Sequence, residues 1–428
     1  MTAGSRFGNL AFSGIYRIIR QRNDMKPENI RRSPRLRLDT PLESKLNLIA
    51  ENCTHCNLCA KQCEFIRRYG NPGKIAAIFV PGDRKFQRLP FECSLCGLCG
   101  RVCPAGLNPS DMFLEMRRDY VCRCGESFPE HRSLLDYERR GTSRRYSYYA
   151  MPKGCDTVFF PGCTLTGTRP RQTLRLFDYL KGQIPHLGIV LDCCCKPSHD
   201  LGCDAHFKSL FHEMKDYLLK NGVKKVLAAC PNCYQVLKQY GNPIGVESVY
   251  EVMSRNGLPA KRDMKGSVCI HDPCAVRVES GIHEAVRRLV KGTGLSMEEM
   301  THSREKTICC GEGGGACSVN PELAGKWSSL RAEEAGGRRI ITYCAGCYSS
   351  LSRANPTSHI IDLIFEPEAA LSDKVKVSRS PFTYLNRLRL KKRLKQTVDA
   401  AVRREREPTA APKRLHRIMM RKGTKEPL

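Results

Sequence analysis

The sequence predicts a multidomain protein in which a mostly α-helical domain precedes two repeated small α/β domains and a basic helical tail. Three observations lead to this prediction. Eight of the 25 cysteines lie in two dense runs between residues 53 and 103. The later cysteines recur with similar spacing in two consecutive stretches, and lysine and arginine are concentrated at the chain ends. A length of 428 residues accommodates two to four domains of roughly 100–200 residues each.

The positive charge is carried mainly by the ends of the chain. The formal net charge is +28. Residues 374–428 contain 18 Lys and Arg against 4 Asp and Glu, and residues 1–45 contain 10 against 4. The central part therefore has an almost ordinary charge. We accordingly predict a basic N-terminal extension over 1–45 and a basic amphipathic tail over 373–428.

The role of the many cysteines depends on the expected compartment. Residues 1–30 lack the continuous apolar segment and small-residue cleavage site of a secretory signal. No run approaches the ~18 apolar residues of a membrane-spanning helix. We therefore expect a cytoplasmic protein, where cysteines serve metal ligation or redox chemistry rather than disulfides.

Residues 46–135 are predicted to form the helical domain, followed by a linker over 136–154 that is rich in Arg, Ser and Tyr. Apolar residues recur at helical period in "PLESKLNLIA" and "DMFLEMRRDYV". Between these segments the pattern C-x2-C-x2-C-x3-C occurs twice. The first motif comprises Cys53, Cys56, Cys59 and Cys63, and the second comprises Cys93, Cys96, Cys99 and Cys103.

This spacing is typical of a ferredoxin-like domain with two [4Fe–4S] clusters. Three thiolates at two-residue spacing can bind three corners of a cubane, while the fourth cysteine reaches the other cluster. Zinc is the alternative, but structural zinc sites use two separated pairs rather than a triplet. We therefore expect one cluster on Cys53, Cys56, Cys59 and Cys103, and the second on Cys93, Cys96, Cys99 and Cys63.

Two residues of the first motif need comment. Glu64 stands where a proline usually follows the fourth cysteine, so the pattern departs from the ferredoxin consensus at one position. His55 is a candidate hydrogen-bond donor that tunes the cluster potential. The alternative is a solvent-facing loop residue.

An internal duplication of about a hundred residues per unit follows. "VFFPGC" corresponds to "VCIHDPC", "DCCCKP" to "ICCGEG", "VLAACPNCYQVL" to "IITYCAGCYSSL", and "VESVYEVM" to "SHIIDLIF". We name residues 155–260 the first unit and 261–372 the second unit. In each, a short β-rich run leads into a cysteine and a helical segment follows, which predicts a small parallel sheet. Cysteines at strand ends would then converge on one sheet edge, where open α/β sheets bind ligands.

The two units resemble the cysteine-rich "CCG" domains of heterodisulfide reductase subunits. Each such domain carries a lone Cys, a Cys-Cys-Gly and a downstream Cys-x-x-Cys. The order of two ferredoxin-type motifs and two CCG units resembles the fused heterodisulfide reductase catalytic subunit. It is also similar to the iron–sulfur subunits of anaerobic glycerol-3-phosphate dehydrogenase and glycolate oxidase. The matching cysteines are Cys163, Cys193, Cys194, Cys230 and Cys233 in the first unit, and Cys274, Cys309, Cys310, Cys344 and Cys347 in the second.

The resemblance implies that each set of five cysteines can hold a noncubane [4Fe–4S] cluster at which disulfide chemistry occurs, so these ten cysteines are also the predicted catalytic residues. Soft sulfur ligands select iron–sulfur clusters or zinc, so zinc or an ordinary cubane in one unit stays open. Glycines after the second pair would let backbone approach the cluster and donate to its sulfurs. These are Gly311, Gly313, Gly314 and Gly315.

"GEGGGA" also imitates a dinucleotide-binding fingerprint, with Glu333 or Glu334 about twenty residues on. Its first glycine directly follows two predicted ligands, and the first unit has no such glycines. No other flavin or nicotinamide motif occurs in the sequence. Electrons are therefore expected to enter or leave through a partner protein.

The triple cysteine "DCCCKP" offers two possible ligand pairs, Cys193–Cys194 and Cys194–Cys195. The number of residues between each pair and Cys230 does not discriminate between them. The resemblance aligns Cys193 and Cys194 as ligands and places Cys195 where the second unit has Gly311. Buried free cysteines commonly act as small apolar residues, which we expect of Cys155 and Cys269. Cys122 and Cys124 are either ordinary thiols or a metal site. Candidate proton donors beside the clusters are Lys196, His199, His271 and Glu312.

A helix is predicted over Phe382–Val402, with Leu390, Leu394, Val398 and Val402 along one stripe between basic residues. A basic amphipathic helix favours an anionic membrane surface. A solvated, partly disordered tail is the alternative. Nucleic acid is the third candidate for such charge, but the tail has few aromatic residues for stacking.

The leading hypothesis is an iron–sulfur oxidoreductase subunit that relays electrons through two ferredoxin clusters to the CCG clusters, with disulfide reduction as the enzymatic version. The alternative is a non-catalytic subunit that passes electrons from a flavoprotein dehydrogenase to quinone, and a zinc-stapled interaction protein is the third. The expected partner is a flavoprotein or a membrane cytochrome or quinone-linked protein, at the cytoplasmic face of the membrane.

Overall fold

A computed structural model describes residues 40–260 and 263–407. Most of the predicted N-terminal extension and the last part of the predicted tail, 408–428, lie outside the described residues. The N-terminal domain is mostly helical, as predicted. Its first helix begins with a capping box, in which the Thr40 hydroxyl accepts from the Glu43 amide. The helices are α1 (Pro41–Asn52), α2 (Leu58–Gln62), α3 (Glu64–Tyr69), α4 (Pro72–Ile78), α5 (Leu89–Glu92), α6 (Leu98–Arg101), α7 (Pro109–Cys124) and α8 (Arg132–Gly141).

The first unit is built on a six-stranded sheet with the order β10-β1-β3-β2-β4-β5, in which the edge strand β10 (Val402–Arg404) comes from the predicted tail. Strands β3, β2, β4 and β5 are parallel, whereas β1 runs antiparallel to both of its neighbours. Its elements are β1 (Tyr148–Met151), β2 (Thr157–Phe160), α9 (Cys163–Thr168), α10 (Pro170–Gln183), β3 (Gly188–Leu191), α11 (Lys196–Asp200), α12 (Asp204–Lys220), β4 (Lys225–Ala228), α13 (Pro231–Tyr240), β5 (Gly245–Ser248) and α14 (Val249–Asn256).

The second unit has a four-stranded sheet in the order β7-β6-β8-β9, with parallel neighbours. Its elements are β6 (Ser267–His271), α15 (Ser280–Lys291), β7 (Ser296–Glu298), α16 (Ala316–Val319), α17 (Pro321–Ala335), β8 (Arg339–Thr342), α18 (Ala345–Leu351), β9 (Thr357–His359), α19 (Ile360–Phe365) and α20 (Pro367–Leu371). The order β7-β6-β8-β9 in the second unit matches the order β3-β2-β4-β5 in the first unit. The predicted duplication and the predicted parallel sheets are therefore both present.

The segment expected to be a linker, 136–154, is instead part of the folded body. Its first half completes α8, and β1 is a fully buried strand of the first sheet. Tyr148, Tyr149 and Ala150 are each at most 1% exposed. The linker prediction is wrong here, because it rested on the Arg and Ser content of the segment. The structure of the segment depends instead on the burial of the four residues of β1.

The predicted apolar stripe of the tail exists, but it faces the protein. Helix α21 (Phe382–Thr397) packs on α9, and Leu390, Leu394 and Val398 are at most 3% exposed. The chain then forms β10 (Val402–Arg404), which pairs with β1, so the helix ends before Val402. These residues therefore belong to the first unit, because burying the stripe in the core removes more apolar surface from water than leaving it on the outside. Among residues 40–260 and 263–407, no helix combines the length and apolarity needed to cross a membrane.

A buried arginine holds the three domains together. Arg117 on α7 is 0% exposed and donates hydrogen bonds to four carbonyls. Two belong to the N-terminal domain, one to the first unit and one to the second. The acceptors are the carbonyls of Pro90, Cys93, Asp200 and Gly314. The loop of the second cysteine motif is thereby fixed against both repeat units.

Candidate functional site

The two cysteine motifs of the N-terminal domain have the same local conformation. In each, the residues two and four positions after the first cysteine are left-handed: His55 and Asn57 in the first motif, Leu95 and Gly97 in the second. Such turns direct backbone amides toward an enclosed anion. The Leu95 amide donates to Cys93 Sγ at 3.4 Å. Both loops are thus shaped to surround an anionic group.

The structure places cysteines of the two motifs beside one another. Cys103 and Cys99, from the second motif, line one pocket with three cysteines of the first, Cys53, Cys56 and Cys59. Cys63, from the first motif, lies beside Cys93 and Cys96, whose charges together with burial raise the pKa of its thiol. Burial likewise raises the pKa of Cys93 to about 12. Thiolates at these depths therefore require positive charge, and metal ions supply it.

The two motifs differ in exposure. Cys56 is exposed, and Cys53 and Cys59 are half-buried, whereas Cys93 and Cys99 are buried. His55 is exposed and its Nδ1 lies 3.1 Å from Asn71 Oδ1, which agrees with the solvent-facing alternative. The first motif therefore faces the surface, and the second faces the repeat units.

An apolar cluster joins the second motif to the second unit. Leu98, Ile308, Cys309 and Trp327 are buried together, with Cys63 and Cys96 packed against them. Arg277 of the second unit donates from Nε to the Cys96 carbonyl at 3.0 Å. Burial raises the pKa of Cys96, and the nearby Cys309 raises it further, so these two thiols from different domains lie close together.

The predicted glycines Gly313 and Gly314 lie at this junction, and a Cβ on Gly313 would also lie 3.2 Å from Sγ of the predicted ligand Cys309. A Cβ on Gly313 would lie 2.6 Å from the Ser94 carbonyl, and Gly314 has φ +59° with the Cys93 carbonyl at 3.1 Å from its would-be Cβ. Backbone of the second motif thus approaches this loop closely. Gly311 behaves as expected for a ligand neighbour, because its amide donates to Cys309 Sγ at 3.2 Å.

The ten cysteines of the repeat units form one continuous line of thiol contacts. Cys230 and Cys344, each the N-cap of a helix after a parallel strand, connect the two units. The cysteines therefore converge where the carboxyl edges of the two sheets meet. The order of contacts is Cys163, Cys193, Cys194, Cys233, Cys230, Cys344, Cys347, Cys310, Cys309, Cys274.

The donor set fits a metal cluster. Hydrogen bonds from neighbouring thiols lower the pKa of Cys194 to about 6, and lower the pKa values of Cys230 and Cys309 well below the usual range. These members of the line are thus favoured as thiolates, the form that binds metal. Such close packing of soft sulfur donors selects iron–sulfur clusters or zinc.

The backbone supports the ligand register of the triple cysteine. Cys195 has φ +59°, a left-handed conformation that glycine adopts without strain, and Gly311 at the matching position of the second unit has φ +101°. The Cys195 thiol is fully buried and donates toward the Cys193 carbonyl at 3.5 Å. Cys193 and Cys194 therefore correspond to Cys309 and Cys310.

The candidate proton donors occupy different places. Lys196 lies within electrostatic range of Cys194 and Cys274, one cysteine from each unit. Its Nζ is 3.0 Å from Asp200 Oδ1, which also lies 2.8 Å from His199 Nδ1. His199 Nε2 is 2.8 Å from the Tyr240 hydroxyl, so both ring nitrogens of His199 are engaged away from the cysteines.

Glu312 lies in the cleft between the two units. Glu312 is an exposed residue, but its carboxyl reaches α18, where a Cβ on Gly346 would collide with its Oε2. Desolvation of the carboxyl, followed by the negative charges of Cys309 and Cys230, raises the pKa of Glu312 to about 7. The carboxyl can therefore hold a proton beside the line of thiols near neutral pH.

Of the cysteines outside the predicted ligand sets, Cys195 lies beside the line at Cys193, whereas four others lie elsewhere. Cys155 and Cys269 are buried within or beside strands, and Cys122 and Cys124 are exposed at the end of α7. Functional neighbours that the sequence did not reveal are Arg117, Arg277 and Trp327. Each is an isolated residue in an ordinary helical or loop context, and only contacts across domains identify it.

The comparisons with known proteins agree with this arrangement. A family model described as a 4Fe-4S dicluster domain matches residues 22–108, and one described as a cysteine-rich domain matches 157–238 and 268–352. One subunit of the dihydromethanophenazine:CoB–CoM heterodisulfide reductase from Methanosarcina barkeri is 24% identical, over 70% of this chain and 88% of that protein.

Two further relatives have different named activities. One subunit of the CoM/CoB fumarate reductase of Methanothermobacter marburgensis is 25% identical, over 69% of this chain and 66% of that protein. The EtfAB:quinone oxidoreductase of Syntrophomonas wolfei is 23% identical, over 54% of this chain and 37% of that protein. The chain is therefore an iron–sulfur electron-transfer protein that joins a 4Fe-4S dicluster domain to two cysteine-rich domains and is related to this heterodisulfide reductase subunit.

Proposed function

We propose that this chain is the heterodisulfide-reductase-type subunit of a redox complex and carries electrons between a partner at the first motif and the ten cysteines of the repeat units. The observation that carries the proposal is the continuous sequence of sulfur sites. It begins at the exposed Cys56, passes the buried second motif, crosses from Cys96 to Cys309 and ends in the first unit. An electron path needs such closely spaced centres within a protein.

The cofactors in this proposal are two [4Fe–4S] clusters in the N-terminal domain and one noncubane [4Fe–4S] cluster in each repeat unit. The fully loaded chain would contain about 16 iron atoms and as many sulfides. Anaerobic purification followed by iron and sulfide analysis tests this number. About eight iron atoms would restrict clusters to the N-terminal domain and contradict the proposed site in the repeat units.

The enzymatic version is reduction of a disulfide in the cleft where Cys230 meets Cys344. One disulfide takes up two electrons and two protons and yields two thiols, with the S–S bond broken. The clusters, when bound, supply one-electron transfers. Glu312 holds a proton at its carboxyl in this cleft. Lys196 places an ammonium near both units, because Asp200 raises its pKa against the opposing effect of burial.

Addition of a disulfide to the oxidised and reduced protein tests this version. We expect a new electron paramagnetic resonance signal that appears only with the disulfide, and that is lost in Cys194→Ser or Cys310→Ser but retained in Cys122→Ser. Cys122 is an exposed thiol outside the line and serves as the matched control. A spectrum unchanged by every disulfide tried would contradict the enzymatic version and favour the relay.

The second candidate is a non-catalytic subunit that passes electrons from a flavoprotein dehydrogenase to the quinone pool. The relative named EtfAB:quinone oxidoreductase favours it. Rapid mixing of the reduced protein with a short-chain quinone separates the two. Oxidation of the clusters by quinone without any disulfide effect supports this candidate, whereas a disulfide-dependent signal opposes it.

The outer face of α21 is the proposed contact with an anionic membrane surface. Phe382 and Leu385 are 62% and 44% exposed, and Arg389, Lys392 and Arg393 continue the same face. Among the described residues of the predicted tail, this face of α21 is left for such a contact, since the apolar stripe is buried. The basic side chains, together with the two exposed apolar side chains, fit the anionic surface of the cytoplasmic leaflet. Salt should release the protein from anionic liposomes, and Lys392→Glu/Arg393→Glu should weaken binding more than Lys208→Glu on α12; binding that ignores salt contradicts this contact.

A further inference from the structure

His271 is a buried histidine whose two ring nitrogens have no hydrogen-bond partner among the residues that the structure describes. It is the last residue of β6 and is 0% exposed. Leaving a buried polar group without a hydrogen-bond partner destabilises a folded protein. A side chain kept at that cost in the site requires a partner from outside the protein chain.

The neighbouring acid is already fully used, so it is not that partner. Asp272 accepts from Arg287 Nη1 and Nη2 at 3.1 and 2.9 Å and from the Tyr343 hydroxyl at 2.9 Å. Its Oδ2 also accepts from the Arg304 amide at 2.7 Å. The imidazole of His271 is left to face sulfur.

Two ligand thiols lie next to the imidazole. A ring nitrogen of His271 and the Sγ atoms of Cys310 and Cys347 all lie within 4.8 Å of one another, and the three residues are buried. Bonds from a metal to nitrogen and sulfur are about 2.0–2.3 Å long, so two donors on one tetrahedral metal lie about 3.3–3.8 Å apart, which is inside this limit. The three atoms are therefore placed around a single metal position.

The first unit lacks this nitrogen. Strand register pairs His271 with Thr342, two residues before Cys344, and pairs Phe160 with Ala228, two residues before Cys230. Phe160 is thus the equivalent of His271, and its phenyl ring is fully buried. The duplicated sites share the sulfur donors and differ at this position.

We propose that His271 is a nitrogen ligand to one iron of the second-unit cluster, beside Cys310 and Cys347, and that the first-unit cluster has sulfur ligands alone. Imidazole replaces thiolate on one iron in other iron–sulfur centres and changes their potential. The two clusters would then be chemically distinct although their folds are duplicates. The inference rests on the proposed cluster of the second unit.

The test uses the full-length protein, purified without oxygen after growth with 15N-labelled histidine. Pulsed paramagnetic resonance of the reduced protein should detect strongly coupled histidine nitrogen. We expect this coupling to be lost in His271→Phe, which copies the first unit, and in His271→Gln. It should persist in His55→Gln, beside the first motif, and in His283→Gln, a buried histidine on α15.

The outcomes separate the two levels of the proposal. A second-unit cluster signal without histidine coupling in the unsubstituted protein, or coupling that survives His271→Phe, overturns the nitrogen ligand and leaves the cluster. If both His271 variants lose the second-unit cluster, the labelled control variants decide the question. Histidine coupling that persists in His55→Gln and in His283→Gln supports His271 as the ligand, and coupling that is lost in either one overturns it. Iron content near eight in the unsubstituted protein overturns the cluster and the inference together.

Discussion

The thiols of Cys230 and Cys344 lie next to each other, and each shifts the pKa of the other, although the two cysteines come from different repeat units. Each caps the helix that follows a central parallel strand, so the carboxyl edges of the two sheets face one another. This contact makes one site from two duplicated halves.

The Cys230–Cys344 relationship predicts that the clusters are adjacent but separately held. Cys344→Ser should remove the second-unit cluster, about four iron atoms, while the first-unit cluster stays. Cys230→Ser should do the reverse. Iron analysis and paramagnetic resonance of each variant check this. Loss of both clusters in each single variant would instead indicate one shared centre.

The triple cysteine gives a second prediction. Cys195→Gly should retain the cluster and remove the left-handed strain of a side chain at φ +59°, worth about 1–2 kcal/mol, less the contribution of the buried thiol. Cys194→Ser should lose or convert the cluster. Absorption and iron content measure both. Cluster loss in Cys195→Gly with retention in Cys194→Ser would overturn the ligand register.

Arg117 should govern the connection between the N-terminal domain and the repeat units. In Arg117→Lys the charge stays, but one ammonium cannot reach four carbonyls, so the free energy of unfolding should fall by several kcal/mol at about 1.5–3 kcal/mol per charged hydrogen bond. Reduction of the second-unit cluster through the N-terminal domain should slow. Denaturation and stopped-flow absorption measure the two effects, with Arg118→Lys as the control. Equal behaviour of both variants would contradict this role.

The buried pair Arg169–Asp362 ties the two units together. Nε lies 2.7 Å from Oδ2, and both side chains are at most 2% exposed. Arg169→Met should lower the free energy of unfolding by about 3–5 kcal/mol because it leaves a buried carboxylate without a partner. Arg169→Met/Asp362→Leu should recover most of this loss. The exposed pair Arg139–Asp136 is the control, for which under about 1 kcal/mol is expected in denaturant titrations.

His131 predicts a dependence of stability on pH. Burial, assisted by Arg117, lowers the pKa of His131 from 6.5 to about 4. Between these pKa values the unfolded chain binds a proton on His131 and the folded chain does not. The free energy of unfolding is therefore highest above pH 6.5 and falls as the pH drops toward about 4. Between pH 6.5 and about pH 5 the loss should reach about 2 kcal/mol. Melting curves of His131→Gln should show less of this loss, while His186→Gln should follow the unsubstituted protein.

The sequence was sufficient to predict the features that depend on the spacing of neighbouring residues along the chain. Cysteine spacing predicted a dicluster domain, and the duplicated strand signals predicted two parallel sheets with cysteines at their ends. The sequence was insufficient to predict the features that depend on which surfaces are buried in the folded protein. The stripe through Leu390 and Leu394 has the same pattern whether it faces lipid or a protein core, and the four residues of β1 are too short a signal to mark a strand.

The sequence by itself determined that this is an iron–sulfur protein, since ligand type and spacing are local properties that survive any packing of the domains. Only the tertiary structure decided that Cys230 meets Cys344, that Cys309 abuts Cys96, and that His271 rather than Phe160 faces its thiols with an unpaired nitrogen. These relationships join residues far apart in the chain. They depend on how the sheets and helices exclude water together, which spacing along the sequence does not encode.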